Sequence, residues 1–338
     1  MHFFLKLGLN LIKMRNLTLI LATLIFVILC TVIAYLLEPD NFESLPNSFY
    51  FVMTTFSTVG YGDYSPVTAA GKTFAVIMYL VGIGLLGVVI GKIVDAFTIF
   101  RRKREEGKLK YGKDNHIIIV GWSKKTAAAV QELLESDDRV EVVVIDVLEK
   151  SPIDLAVDRV HYIQGDPTCE ETFEKANISS AKSVVVFSDD NIQDHSLKDA
   201  KTLSIAITAE RVAPDVHTTV EIMTEKNKTN FSHVNVDEFI LSQQTISSLA
   251  VRSAMYKGVT KVYSQLMSRQ YGEDLYKISK KENWHTYRDA FLDLLQQGAT
   301  LIADRDKLDI NRRLDEKIAD DAVLYVVCNS ETYQKLTS

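Results

Sequence analysis

The feature that most constrains this chain is an uncharged run of 21 residues, Leu17 to Leu37, followed later by a second apolar run from Thr73 through Gly91. In a helix, at about 1.5 Å per residue, the first run spans roughly 31 Å, the thickness of a bilayer's hydrocarbon core. It is too long for a cleaved signal peptide, and no small-residue cleavage site follows it. Charge divides the same way. Residues 1–100 carry five Lys/Arg and five Asp/Glu, and the other 72 charged residues lie beyond them. The sequence therefore joins a membrane part to a soluble part. The formal charge of −6 belongs to the soluble part and argues against nucleic acid as a partner. Cys30, Cys169 and Cys328 have no paired spacing, so neither a disulfide nor a Cys-based metal site is expected.

Lys6, Lys13 and Arg15 precede the first run, and Arg101-Arg102-Lys103-Arg104 follows the second. Between Glu38 and Ala70 there is no Lys or Arg, while Glu38, Asp40, Glu43 and Asp63 are present. The positive-inside rule then places both termini in the cytoplasm and the 38–70 loop outside, in a multi-pass protein of the plasma (inner) membrane.

That loop contains Thr58-Val59-Gly60-Tyr61-Gly62-Asp63. Pro46 suits the first turn of a helix, and Asn47 to Ser57 would form one too short to span the bilayer. Non-helical backbone at membrane depth is tolerated only where protein buries it or water lines it. One two-span chain cannot enclose such a loop, so a homotetramer is expected. Thr58 to Gly62 can lie extended with carbonyls turned to one side, because Gly60 and Gly62 permit angles that a Cβ resists. Rings of oxygens from Thr58, Val59, Gly60 and Tyr61 would replace the hydration shell of K⁺. The carboxyl ends of four pore helices would favour a cation. These residues match the selectivity-filter signature of potassium channels. That resemblance implies passive K⁺ conduction rather than an enzyme, with Asp63 anchoring the outer mouth. In some such channels a pore-helix carboxylate partners this Asp; the matching position here is Thr54.

The second run contains Gly82, Gly84, Gly87 and Gly91, which suit either close helix packing or bending. Gly82 is similar in position to the hinge glycine of inner helices in this family, and Gly87 would widen the cavity. Four copies of Asp95 would make an acidic ring at the inner mouth, or Asp95 is an interfacial anchor. No helix with spaced Arg residues suggests a voltage sensor. Residues 1–100 thus read as an all-α two-span pore domain with a re-entrant pore helix and filter. Residues 101–114 read as a basic linker lying against anionic membrane lipid.

Beyond the linker, short apolar runs alternate with helical stretches: His116–Gly121, Val140–Asp146, Val160–Gly165, Ser183–Phe187, Thr218–Met223 and Glu238–Leu241. This pattern predicts a parallel sheet covered on both faces, a Rossmann-like α/β domain over residues 115–242. A dinucleotide loop wants Gly-x-Gly-x-x-Gly, whereas Gly121-Trp122-Ser123-Lys124-Lys125-Thr126 has one glycine of three, so NAD is disfavoured. Asp146, ending the second strand, is either a ribose ligand or a loop carboxylate.

Gly121-Trp122-Ser123, His161 to Thr168 (which includes Asp166) and Glu174 to Ile178 resemble the regulator-of-K⁺-conductance (RCK) domain of prokaryotic two-span channels, the calcium-gated archaeal type among them. The resemblance implies a ring of such domains from neighbouring subunits that pulls the inner helices open. It makes residues 243–269 a helix crossover for ring assembly and residues 270–338 a small α+β C-terminal lobe. The family's principal Ca²⁺ site falls on Phe187, Glu221 and Met223, where Glu221 alone is acidic, so that site is expected to be absent. Asp189, Asp190 and Asp194 either form a displaced cation site or cap the next helix. The candidate ligand set is Gly121, Asp146, Asp166, Asp189, Asp190 and Glu221, for a regulatory divalent cation or a nucleotide. Two rival classes are a non-conducting membrane-anchored nucleotide or cation sensor and an NAD-binding dehydrogenase.

Overall fold

The computed structural model describes residues 16–154, 157–267 and 272–337. Lys6, Lys13, Arg15 and Arg269 lie outside these residues. The chain divides into two compact units between Lys103 and Arg104.

The first unit begins with helix α1 (Asn16–Leu37), whose Leu-, Ile- and Val-rich face is largely exposed. Thr23 and Thr31 each donate a hydroxyl to the carbonyl four residues back, so these two hydroxyls are satisfied within the apolar span. A short helix α2 (Pro39–Phe42) turns the chain, and α3 (Leu45–Phe56) is the expected half-length helix, starting two residues earlier than read. Pro46 occupies its first turn, where a missing N–H costs nothing. One face of α3, with Phe51 and Val52, packs in a cluster with Val27, Cys30 and Ala34 of α1 and Met78 of α4 (Ala69–Glu105). Helix α4 has 37 residues and is about 55 Å long. It runs unbroken through all four glycines and takes in Arg101–Glu105, which the sequence had assigned to the linker.

In the second unit six strands form one parallel sheet: β1 (Ile117–Val120), β2 (Val142–Asp146), β3 (Val160–Gln164), β4 (Ser183–Val186), β5 (His217–Ile222) and β6 (Glu238–Leu241). Their order is β3-β2-β1-β4-β5-β6, so the chain reverses direction between β1 and β4. The β-branched runs are buried on both faces. Ile118, Val143 and Val184 belong to one core, and Ile119, Val142 and Val144 to the other. Helix α5 (Lys124–Ser136) follows β1, α6 (Glu170–Lys175) follows β3 and α7 (His195–Val212) follows β4. Contrary to the expected alternation, the described residues between β2 and β3 hold no helix, and a 3₁₀ segment, Glu225–Phe231, joins β5 to β6.

Residues after α4 are fastened to this sheet. The Gln164 N–H donates to Gly107 O at 3.0 Å, and Tyr111 N–H donates to Lys175 O at 2.8 Å. Tyr111 donates its hydroxyl to Glu141, and His161 Nε2 meets Leu109 O at 3.0 Å. Gly107 has φ +60°, and a Cβ there would lie 2.4 Å from Gln164 N. Only glycine fits this approach.

Helices α8 (Ser242–Met255) and α9 (Val259–Met267) bury none of their residues within the chain. A C-terminal lobe follows: β7 (Asp274–Ser279), α10 (Tyr287–Gln296), β8 (Thr300–Asp304), β9 (Val323–Cys328) and α11 (Ser330–Thr337). Its antiparallel sheet, in the order β7-β9-β8, packs on Trp284, Tyr287 and Leu294.

Candidate ion pathway and ligand crevice

The filter stretch leaves the end of α3, and its conformation differs from the extended strand expected. Thr58, Gly60 and Gly62 have φ of +60°, +58° and +82°, while Val59 and Tyr61 do not have positive φ. In a regular strand successive carbonyls point to opposite sides. Inverting the backbone's hand at every second residue brings them to one side, the arrangement an ion-coordinating column requires. Thr58 carries the cost of a left-handed β-branched residue, which persists only where surrounding structure holds it. That structure is the Thr54 carbonyl, which accepts Val59 N–H at 3.0 Å, Gly60 N–H at 3.1 Å and the Ser57 hydroxyl at 3.1 Å.

Thr54 does not reach Asp63. Its side chain donates to Phe51 O, and the residue facing Asp63 is Tyr50, whose hydroxyl lies 3.4 Å from Oδ2. The Tyr50 ring also stacks on Tyr61 at 6.4 Å and meets Tyr64 edge-on at 6.3 Å. Sequence reasoning missed Tyr50 because its role depends on helix phase and not on a motif.

The inner-helix glycines separate into two groups. Gly82 is buried, and a Cβ there would come within 2.2 Å of the Phe56 ring at the end of α3. Gly84, Gly87 and Gly91 face open space and line one groove of α4 with Val88, Lys92 and Asp95. The observed part of Gly82 is therefore close packing, and the open stripe carries Gly87 and Asp95.

Glu38, read from sequence only as a topology marker, is 4% exposed and ties α1 to α4. Its carboxylate accepts Val67 N–H at 2.9 Å, Thr68 N–H at 2.7 Å, the Thr68 hydroxyl at 2.5 Å and Asn41 Nδ2 at 3.0 Å. Burial alone would raise its pKa, but these bonds outweigh burial and hold it below the ordinary glutamate value. Gly71 makes the space, since a Cβ there would lie 2.1 Å from Oε1.

In the second unit a crevice opens at the carboxyl ends of β1 and β4, where the strand order reverses. This is where open α/β sheets take ligands. Gly121 (φ +90°), Asp146, Asp189 and Asp190 line it, as do Trp122, Ser123, Thr126 and Lys201, which sequence reasoning did not assign. The two missing glycines have a visible consequence. Thr126 donates its hydroxyl to Gly121 O at 2.8 Å, and Ser123 Oγ caps α5 by accepting Thr126 N–H. Side chains thus stand where a pyrophosphate would approach backbone. Asp146 accepts Trp122 N–H at 2.6 Å and Leu148 N–H at 3.1 Å, so it already acts as a loop carboxylate while lining the crevice.

The acids after β4 do not converge. Asp194 caps α7 by accepting Leu197 N–H, Asp189 pairs with Lys201 at 2.7 Å, and Asp190 pairs with Lys125 at 3.0 Å. Burial would raise the Asp189 carboxyl, but Lys201 and the Asn191 N–H bring it below the usual range. Among the described residues no three His, Cys, Asp or Glu side chains gather as a metal site. Asp166 lies outside the crevice, with Oδ1 taken by the Thr168 N–H and hydroxyl, which hold its pKa low. Glu221 sits behind the crevice wall, where its carboxylate accepts from Ser188 and Lys125.

Residues 20–99 match the ion-channel family and residues 117–242 the TrkA-N domain family. Over 229 residues the chain is 30% identical to the putative potassium channel protein YugO of Bacillus subtilis, covering 65% of this chain and 68% of YugO. It belongs to the potassium-channel family. The channel is also 30% identical over 247 residues to the calcium-gated potassium channel TvoK of Thermoplasma volcanium, covering 71% of this chain and 70% of that one. In fold, it is similar to the human SLO3 gating ring, with a TM-score of 0.52 at 12% identity. That match covers 66% of the channel and 46% of the gating-ring chain. It is thus a potassium channel: a two-helix membrane pore with a Rossmann-like RCK domain and a small antiparallel lobe.

Proposed function

We propose that four copies of the chain surround one K⁺ path in a plasma membrane, with both termini cytoplasmic, and that a nucleotide in the Gly121 crevice sets the open probability. The observation that carries the conduction reading is the alternation of backbone hand at Thr58, Gly60 and Gly62, locked by one pore-helix carbonyl. Carbonyls of Thr58, Val59, Gly60 and Tyr61 hold the ion, and Asp63 lends charge to the outer mouth. Gly87 and Asp95 face the inner cavity. Helices α8 and α9, which bury no residue within the chain and leave Ile246, Val251, Met255 and Val262 each at least 59% exposed, support ring assembly between neighbouring RCK domains. A nucleotide fits the crevice by class: Val120, Ile145, Leu148 and Phe187 give apolar walls, and Asp146 gives acceptors for ribose hydroxyls. Thr126 and Ser123 at the missing glycines favour a mononucleotide over NAD.

The ligand acts by binding one state of the ring better than the other. Moving the balance from 1:99 to 99:1 takes about 5.5 kcal/mol of differential binding, which several subunits share. The test is single-channel recording in a K⁺ bilayer with nucleotides titrated on the cytoplasmic face. K⁺-selective openings whose probability follows nucleotide concentration support the reading. Openings unchanged by Asp146→Ala at every nucleotide concentration would remove the crevice from gating.

A further inference from the structure

Glu221 is 3% exposed at the carboxyl end of β5. A carboxylate so withdrawn from water needs a positive partner or a proton. Its partner belongs to the chain itself. Lys125 Nζ lies 3.2 Å from Glu221 Oε1 and 2.9 Å from Oε2. The same ammonium is 3.0 Å from Asp190 Oδ1 and 3.3 Å from Ser188 Oγ. The Ser188 N–H and hydroxyl complete Oε2 at 2.9 and 2.8 Å. Oxygens from β5 and from the loop after β4 therefore converge on one nitrogen carried by α5. Two carboxylates and a hydroxyl are the kind of oxygen set that divalent cations take. Here a compact ammonium on a flexible stem fills it.

We infer that Lys125 is a resident cation that ties the loop after β4 to β5 and excludes divalent cations from Glu221. Being covalently tethered, it is present whatever the Ca²⁺ or Mg²⁺ concentration. The loop is thereby held in one geometry, and this corner of the domain does not sense divalent cations. The inference rests on the reading of the crevice as the gating site, because Ser188 and Asp190 form one of its walls and the start of α5 another.

The experiment is calorimetric titration of Ca²⁺ into the full-length channel in detergent, with thermal unfolding on the same samples. Wild type, Lys125→Arg, Lys125→Met and the double variant Lys125→Met/Glu221→Gln are compared, all purified with Ca²⁺ present and then dialysed. Lys125→Met should melt lower than wild type, bind Ca²⁺ at least about tenfold more tightly and regain its stability with Ca²⁺. Lys125→Arg keeps the charge and the double variant removes both charges, so both should stay indifferent. Wild-type Ca²⁺ binding that disappears in a fifth protein, the Glu221→Gln single variant, would overturn the inference, as would a folded Lys125→Met that gains no affinity. K⁺ flux into liposomes is measured separately. Its absence in wild type would strike the channel reading and leave the Ca²⁺ titration standing.

Discussion

Replacing Glu38 by Gln should destabilise the pore out of proportion to the size of the change. The carboxylate accepts four donors, two on each oxygen: Thr68 N–H and hydroxyl on Oε1, Val67 N–H and Asn41 Nδ2 on Oε2. A glutamine keeps one oxygen, and whichever way its amide is turned, its NH₂ faces two of these donors. Hydrogen bonds to a charged group contribute about 1.5–3 kcal/mol each, so losing two costs about 3–6 kcal/mol. That is a factor of about 10² to 10⁴ in the folding equilibrium. The assay is thermal unfolding of the full channel in detergent beside K⁺ flux from liposomes. A Glu38→Gln channel within about 0.5 kcal/mol of wild type would refute the reasoning. A second arm uses Gly71→Ala, whose new Cβ would press on Oε1. Its penalty should shrink in a Glu38→Ala background, and strictly additive penalties would show that the two residues do not share the space. The sign with pH is fixed. Because the folded carboxyl titrates below its ordinary value, its contribution is present above that value and is lost as pH falls through the lowered one.

Three further outcomes are expected. Gly60→Ala, which puts a Cβ at φ +58°, should abolish K⁺ flux while the protein still inserts; normal K⁺-selective flux would remove Gly60 from the filter. Gly82→Ala should lower open probability through its clash with Phe56. Restored openings in Gly82→Ala/Phe56→Ala would assign Gly82 to packing, and unrestored openings to bending. His116 is fully buried beside Tyr111, with its Nδ1 unpartnered, and burial lowers both its pKa and that of His161. Stability of the linker-docked domain should therefore fall as pH drops below the ordinary histidine value, and a flat melting profile from pH 7.5 to about 5.5 would contradict this.

What could be read from sequence was what depends on local composition. The six strands lie within two residues of their expected positions, and the central ones are legible because their β-branched runs are buried on both faces. The filter motif marked its own place. Contacts that join distant residues were not legible. Nothing in Glu38 points to Thr68, 30 positions on, and nothing in Lys125 points to Glu221, 96 positions on. Gly71 and Gly82 look alike with Gly84 and Gly87 in a string of letters. Only the packing of Glu38 and Phe56 sets them apart. Asp166 does not line the crevice, and its own sequence carries a local signal for a turn: Asp-Pro-Thr readily closes a side-chain turn on its own backbone, and it does.

The strip from Gly107 to Tyr111 has one more consequence. Strand β3 is the outermost strand on its side of the sheet, and Gly107 takes up a backbone donor of its last residue, Gln164. An outer strand with free donors and acceptors is a template for pairing with another chain. A fragment begun at residue 115 would lay that template bare. It should be recovered as aggregate where one begun at Arg104 stays in solution.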